Sequence, residues 1–317
     1  MSTLADPQLI AKLDAAWGDE QAWTAEGLHW LHLDALRTRN NRQVSGDDTV
    51  DALDWLGRHA DQAGDRPFQR ALVLGCGDGW LERGVRGRGL AHTVVAMDLS
   101  PRVLERARQL SEGIAGITYV QADMNQLPVG NAPFLPGSFD AVLAWSSVHH
   151  CSHLEQLYCA VHALLRPGGW FFLDEYVGPD YFQFSEAHME QVRSLAGMLP
   201  ERLRTTRSGF VRREFQAPTV AEVLAVDPSE AAASSHILPL LGTHFDVIAK
   251  RPYGGSLLHV LLAHIAQNFQ SPEGARWVRA LIAAEDDLHR QGLLEQHFCS
   301  VIARRPHAAS PQPTPAC

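Results

Sequence analysis

Residues 71–79 read Ala71-Leu-Val-Leu-Gly-Cys-Gly-Asp-Gly79. Apolar residues run into glycines at 75, 77 and 79, and a helix-like segment follows. That order predicts strand, tight turn and helix N-terminus. Glycine permits positive φ and lets a ligand approach the backbone with no Cβ between them. The loop therefore reads as a nucleotide-cofactor site at the carboxyl end of a sheet strand.

The downstream segments keep the same rhythm. His92-Thr-Val-Val-Ala-Met-Asp98 predicts a second strand ending in an acid, 19 residues after Gly79. An acidic residue roughly 20 positions on meets a ribose in folds of this kind, and the Asp98 carboxylate can accept from both hydroxyls. Ser100 and Pro101 open the next helix as N-cap and first helical residue. Strands follow at Ile117–Asp123, Phe139–Trp145 and Trp170–Glu175. Ser152-His-Leu-Glu155 predicts a capping box, and Leu164-Leu-Arg-Pro-Gly-Gly169 a helix stop. Strands alternating with helices predict a parallel sheet. The dinucleotide fingerprint G-x-G-x-x-G is not met. The third glycine comes one position early, and Trp80 stands where it would sit, which disfavours a nicotinamide cofactor.

In this order and spacing, residues 68–178 resemble the class I S-adenosylmethionine-dependent methyltransferases, whose first motif carries G-x-G-x-G. The segments Glu175-Tyr-Val-Gly-Pro179, Asp227-Pro-Ser-Glu-Ala231, Tyr253-Gly-Gly255 and Asn268-Phe269 are similar to a bacterial subfamily acting on small molecules. They extend the resemblance from about Asn41 to Ala303. It implies an α/β, Rossmann-like sheet of seven mostly parallel strands, the last antiparallel between strands five and six. It also implies S-adenosyl-L-methionine as cofactor. Gly75, Cys76, Gly77 and Gly79 would cradle it, with Asp98 and Leu99 at the ribose. Asp123 or the Met124 amide would meet the adenine amino group, and Trp145 would end strand four near the methyl. One departure stands out. The acid expected two residues before Gly75 is Val73, so the cofactor's amino-acid portion must find other contacts.

Methyl transfer is an in-line displacement at a sulfonium, helped chiefly by positioning and exclusion of water. A base is needed only when the acceptor is protonated, as a hydroxyl is. After strand four the chain reads Trp145-Ser-Ser-Val-His149-His150-Cys-Ser-His153. Histidine is the natural base near neutrality, with His150 the first candidate and His149 the second. At the end of strand five, Glu175 and Tyr176 are candidates to orient the acceptor. His149, His150, Cys151, His153, Cys159 and His162 raise the question of a metal. Adjacent ligands in a tight loop rarely converge, and the familiar zinc spacings are missing, so no metal is expected. Arg202, Arg204, Arg207, Arg212 and Arg213 suit an anionic acceptor, because guanidinium forks match carboxylates and phosphates. The reading is methyl transfer to a small-molecule hydroxyl, on a sugar or a specialised metabolite. A nitrogen or sulfur acceptor, or a cofactor-binding protein that does not methylate, stays open.

The rest of the chain bounds this reading. It has 317 residues, 45% of them hydrophobic, and a net charge of −9. No long basic run is present for phosphate neutralisation, which argues against a nucleic-acid partner. The start lacks a signal-peptide pattern, no apolar run reaches a membrane span, and five cysteines show no C-x-x-C. A cytoplasmic protein with reduced thiols is expected. Oligomeric state is open, a homodimer included.

Four parts are expected. Residues 1–65 form a helical lid carrying Trp17, Trp23, Trp30 and Trp55. Residues 66–177 and 244–303 form the core. Residues 178–243 insert as a cap, with helices near Ser185–Met198 and Thr219–Val226. Within the returning core, a strand at His244–Lys250 precedes helices near Ser256–Phe269 and Glu273–Gln291, then a strand at Phe298–Ala303. Residues 304–317 form a disordered tail.

Overall fold

The structure is a computed structural model that describes residues 7–18 and 28–307. Trp23, the first six residues and residues 308–317 of the expected tail lie outside the described residues. One seven-stranded sheet organises the chain, in the order β3-β2-β1-β4-β5-β7-β6. The strands are β1 Phe68–Leu74, β2 Ala91–Asp98, β3 Ile117–Gln121, β4 Phe139–Trp145, β5 Leu165–Tyr176, β6 Asp246–Pro252 and β7 Phe298–Arg304. β1 to β5 pair in parallel, and β7 runs antiparallel to both β5 and β6.

The register decides where chemistry can occur. Leu74 pairs with Met97 on one side and Ala144 on the other, and Trp145 pairs with Asp174. The carboxyl ends of β1, β2, β4 and β5 are therefore level. Between β1 and β4 the strand order reverses, and ligands of open α/β sheets bind at such a switch point.

Alternate residues of each strand fill two cores, as a period of two requires. Val73, Ala96, Leu143 and Phe172 face one side. Leu72, Met97, Val142 and Phe171 face the other. The first face meets helices α2 Asp34–Ser45, α3 Ala52–Ala63 and α4 Trp80–Gly87, which follow α1 Pro7–Trp17 in the chain. Helix α5 Pro101–Leu110 starts as expected, the Ser100 hydroxyl accepting the Val103 N–H at 3.2 Å. The second face is covered by α6 Leu154–Leu164, with α9 Ile237–His244 beside it; Tyr158 Oη donates to the Ile237 carbonyl at 3.0 Å.

Between β5 and α9 lie α7 Glu186–Met198 and α8 Val220–Val226, capped by Ser185 and Thr219. Between β6 and β7 lie α10 Leu258–Leu262 and α11 Pro272–Arg290. Arg39 of α2 is buried against Glu285 and Asp286 of α11. Glu285 also accepts the Leu257 and Leu258 N–H groups at 2.8 and 3.0 Å. The N-terminal helices thus lock onto the late insertion.

Three local expectations are corrected. α6 begins at Leu154 with no side-chain cap, because Asn125 Oδ1 already accepts from the Ser152 and His153 amides at 2.9 and 3.0 Å. The helix expected over 256–269 is broken at His264, where φ is +62°, and resumes as a 3-10 turn at Ala266–Gln270. The tail does not loosen at 304. Arg304 donates to the Gly168 carbonyl and Asp65, and the Arg305 amide to the Gly169 carbonyl.

Candidate active site

The loop after β1 is built for close backbone approach. Gly75, Gly77 and Gly79 hold φ of +58°, +54° and +88°. A Cβ at Gly75 would lie 2.6 Å from that of Ser147, and one at Gly79 would lie 2.6 Å from Tyr119 Oη. A Cβ at Gly77 would meet nothing within 4 Å. Gly77 is therefore the bare peptide that a ligand can reach. Cys76 is buried, and burial pushes its thiol well above the ordinary range.

Asp98 has a role that spacing did not reveal. Its carboxylate accepts the Gly77 N–H at 3.1 Å and the Ser100 N–H at 3.0 Å. It ties the glycine loop to the start of α5, and each oxygen keeps a free lone pair for a ribose hydroxyl. Burial raises its pKa despite these amides. The Leu99 carbonyl accepts from Gln121 Nε2 at 3.0 Å. Asp123 lies past the end of β3 and caps a short 3-10 turn, accepting the Asn125 N–H at 2.8 Å. Met124 Cε would lie 3.2 Å from a Cβ at Gly75. Trp145 meets the exposed Trp80 edge to face at 5.0 Å. The candidate cofactor residues at the ends of four strands, β1 to β4, thus gather along the carboxyl edge of the sheet. Val73 is wholly buried in the core. The acid that sequence reasoning passed over is Glu82, wholly buried behind Gly79, its pKa pushed up to about 7 by burial.

The β4 loop turns sharply, with Ser146 at φ +48°. Ser147 Oγ donates to the Leu74 carbonyl at 2.9 Å, tying this loop to the end of β1. Glu175 is buried beneath it. One carboxylate oxygen accepts the Ser147 and Val148 N–H groups at 2.8 Å each, and the other accepts His149 Nδ1–H at 2.8 Å. Glu175 thus fixes the loop and the His149 ring. Tyr176 is likewise engaged, its hydroxyl donating to the Pro179 carbonyl at 3.0 Å. Both side chains, expected to orient the acceptor, are held here by hydrogen bonds within the protein.

His149 and His150 stand with ring centroids 4.3 Å apart. The segment Asp227–Glu230 reaches over both. His150 Nδ1 lies 3.0 Å from Ser229 Oγ and 3.4 Å from Asp227. Glu230 lies 3.6 Å from His149 Nε2 and 3.8 Å from His150 Nε2. Burial would lower the His149 pKa, but the Glu175 bond and the surrounding carboxylates outweigh it, and the net direction is up. Burial and the neighbouring His149 carry His150 down. Trp17 of α1 meets His150 edge-on at 5.6 Å.

The cap arginines are largely spent within the protein. Arg202 pairs with Glu273 and Arg213 with Glu201, while Arg204 donates to the Leu199 carbonyl. Arg212 donates to carbonyls at the end of α10, and burial lowers its pKa to about 10.

Residues 72–173 match the family described as a methyltransferase domain. The ubiquinone biosynthesis O-methyltransferase of Pseudomonas aeruginosa is 31% identical over 121 residues, which are 38% of this chain and 48% of that protein. The malonyl-[acyl-carrier protein] O-methyltransferase of Enterobacter lignolyticus is 36% identical over 104 residues, 33% and 38% of the two chains. The chain spans about half the length, or less, of these curated relatives. An S-adenosylmethionine-dependent methyltransferase structure from Mesorhizobium loti overlaps 80% of this chain and 98% of its own, at 21% identity and a TM-score of 0.44. No described helix is long and apolar enough to cross a membrane. Residues 72–173, which carry the glycine loop and Asp98, thus match a methyltransferase domain, and the inserted antiparallel β7 completes the sheet around them.

Proposed function

We propose that this protein binds S-adenosyl-L-methionine across the Gly75–Gly79 loop, Asp98 and Met124, and transfers its methyl group to a hydroxyl of a small molecule. A new O–CH₃ bond forms as the C–S bond breaks, and S-adenosylhomocysteine and a methyl ether are the products. Ionising the acceptor hydroxyl is the task left to the chain. The observation that carries this reading is the His149–His150–Glu230 cluster beside the glycine loop, where neutral imidazole or carboxylate can handle a proton near neutrality. The O-methyltransferase relatives support oxygen as the acceptor atom. A sugar or specialised metabolite remains the proposed class. An anionic acceptor gains no support from Arg202, Arg204, Arg212 and Arg213, which bind the protein itself. The N-terminal helix and the cap segment close the acceptor side in this reading. The test is calorimetric titration with S-adenosylmethionine, followed by methyl transfer from labelled cofactor to a panel of hydroxylated small molecules. Failure to bind the cofactor ends the proposal.

A further inference from the structure

Two groups of metal-ligating side chains occur among the described residues. In the first, Glu285, Asp286 and His289, the two acids are already paired with buried Arg39. In the second, His149, His150 and Glu230, the donor atoms lie within 4.8 Å of one another, and no Lys or Arg is paired with them among the described ion pairs.

We propose that His149 Nε2, His150 Nε2 and the Glu230 carboxylate form the seat of a divalent transition-metal ion of the zinc class. Ring orientation carries the argument. The His149 Nδ1–H donates to Glu175 at 2.8 Å, which in the neutral ring leaves Nε2 bare. The Ser229 hydroxyl donates to Asp227 at 2.6 Å, so its oxygen can accept from the His150 Nδ1–H at 3.0 Å. That leaves the second Nε2 bare as well. Both bare nitrogens then face one carboxylate. Metal-ligating histidines show this arrangement, the far nitrogen donating to a carboxylate or another fixed acceptor.

Distances and charge agree with the seat. The two nitrogens lie 3.6 and 3.8 Å from the Glu230 oxygens. A tetrahedral ion about 2.0–2.2 Å from each donor needs them roughly 3.3–3.6 Å apart, a contraction of about half an ångström at most. Glu175 and Asp227 are buried against the two rings, so a cation between the imidazoles would have carboxylates on several sides. Imidazole donors favour zinc-like ions over magnesium or calcium.

Three protein ligands leave a coordination position open. An acceptor hydroxyl bound there would lose its proton to water before taking the methyl group. The seat itself stands on geometry, and only this use of it rests on the methyl-transfer reading.

The experiment uses full-length protein without a polyhistidine tag, stripped with EDTA and titrated with Co²⁺ by visible absorption. Wild type should take up one equivalent with ligand-field bands, and Zn²⁺ should displace it. Glu230→Gln should weaken Co²⁺ binding at least tenfold. Glu175→Gln should weaken it about 10–100-fold, as loss of a group orienting a ligand does. Thermal melting checks the fold of each variant. The proposal is overturned if wild type shows no saturable Co²⁺ site, or if folded Glu230→Gln binds Co²⁺ as tightly as wild type. S-adenosylmethionine titration on the same samples separates the two readings. Co²⁺ binding without cofactor binding keeps the seat and removes the methyl-transfer reading. Cofactor binding without Co²⁺ binding does the reverse.

Discussion

Trp17 Nε1–H donates to the Asp227 carboxylate at 2.7 Å, joining residues 210 positions apart. Asp227 is the group that holds Ser229 against His150, so the first helix is tied to the furniture of the site. Hydrogen bonds to charged groups contribute about 1.5–3 kcal/mol. Trp17→Phe should therefore raise hydrogen exchange in Pro7–Trp17 about tenfold or more, while the 75–79 loop is unchanged. Adding S-adenosylhomocysteine to wild type should protect both regions. Equal exchange of the helix in variant and wild type would sink the idea that it closes over the site.

Asp98→Ala should lower affinity for S-adenosylmethionine by more than about tenfold, since charge-assisted hydrogen bonds to the ribose are lost. The loop loses its tie to Gly77 at the same time. Calorimetry measures the affinity, and circular dichroism checks that the variant is folded. Unchanged affinity in a folded variant rules out Asp98 as the ribose group.

His150→Ala should lower turnover by roughly 10²–10⁴-fold, the usual worth of acid–base assistance, whether the ring takes the acceptor's proton or holds the ion that acidifies the hydroxyl. Cofactor affinity should stay within about threefold, because the glycine loop and Asp98 carry it. Steady-state rates with labelled cofactor give the answer. Full turnover in the variant would make His150 a structural residue.

Asp174 supplies a pH prediction away from the histidine cluster. It is buried, accepts from the Tyr253 and Ser300 hydroxyls, and burial raises its pKa to about 7 from the ordinary 3.8. Its folded pKa lies above its unfolded one, so the unfolded state releases the proton first. The stability it contributes is complete below about pH 4 and is lost as pH rises toward 7. Asp174→Asn keeps the shape without the charge. Its melting temperature should exceed wild type's at pH 8, and the gap should shrink toward pH 5. Parallel melting curves across that range would refute the assignment.

The turn after β1 and the start of the helix after β2 were legible in the sequence because their signals are local. Glycine spacing, an acid at the end of β2 and a cap at Ser100 each need only a few neighbouring residues. The histidine cluster was legible only in part. His149 and His150 could be picked from their place after β4, but Glu230, Ser229 and Asp227 arrive about 80 residues later, and Trp17 comes from the opposite direction. Asp227-Pro-Ser-Glu-Ala231 stood out as a segment, yet nothing in its spacing says which loop it will cover. Likewise Ser152-x-x-Glu155 has the letters of a capping box. Asn125, 27 residues earlier, claims the serine amide. Local pattern yields to a tertiary contact there.

The antiparallel β7 has a consequence for synthesis. Ser300 reaches Asp174 across 126 residues, and β5 has no partner on that side until Phe298–Arg304 arrives. While a ribosome is still making the chain, β1 to β5 can assemble with a raw flank at β5 besides the edge that β3 keeps, the kind of open strand edge that recruits other chains. The last strand closes that flank and gives β6 its only sheet neighbour among the described strands. A nascent chain stalled before residue 298 would therefore be sticky rather than merely inactive, and a chaperone holding the β5 edge would have to let go at the final strand.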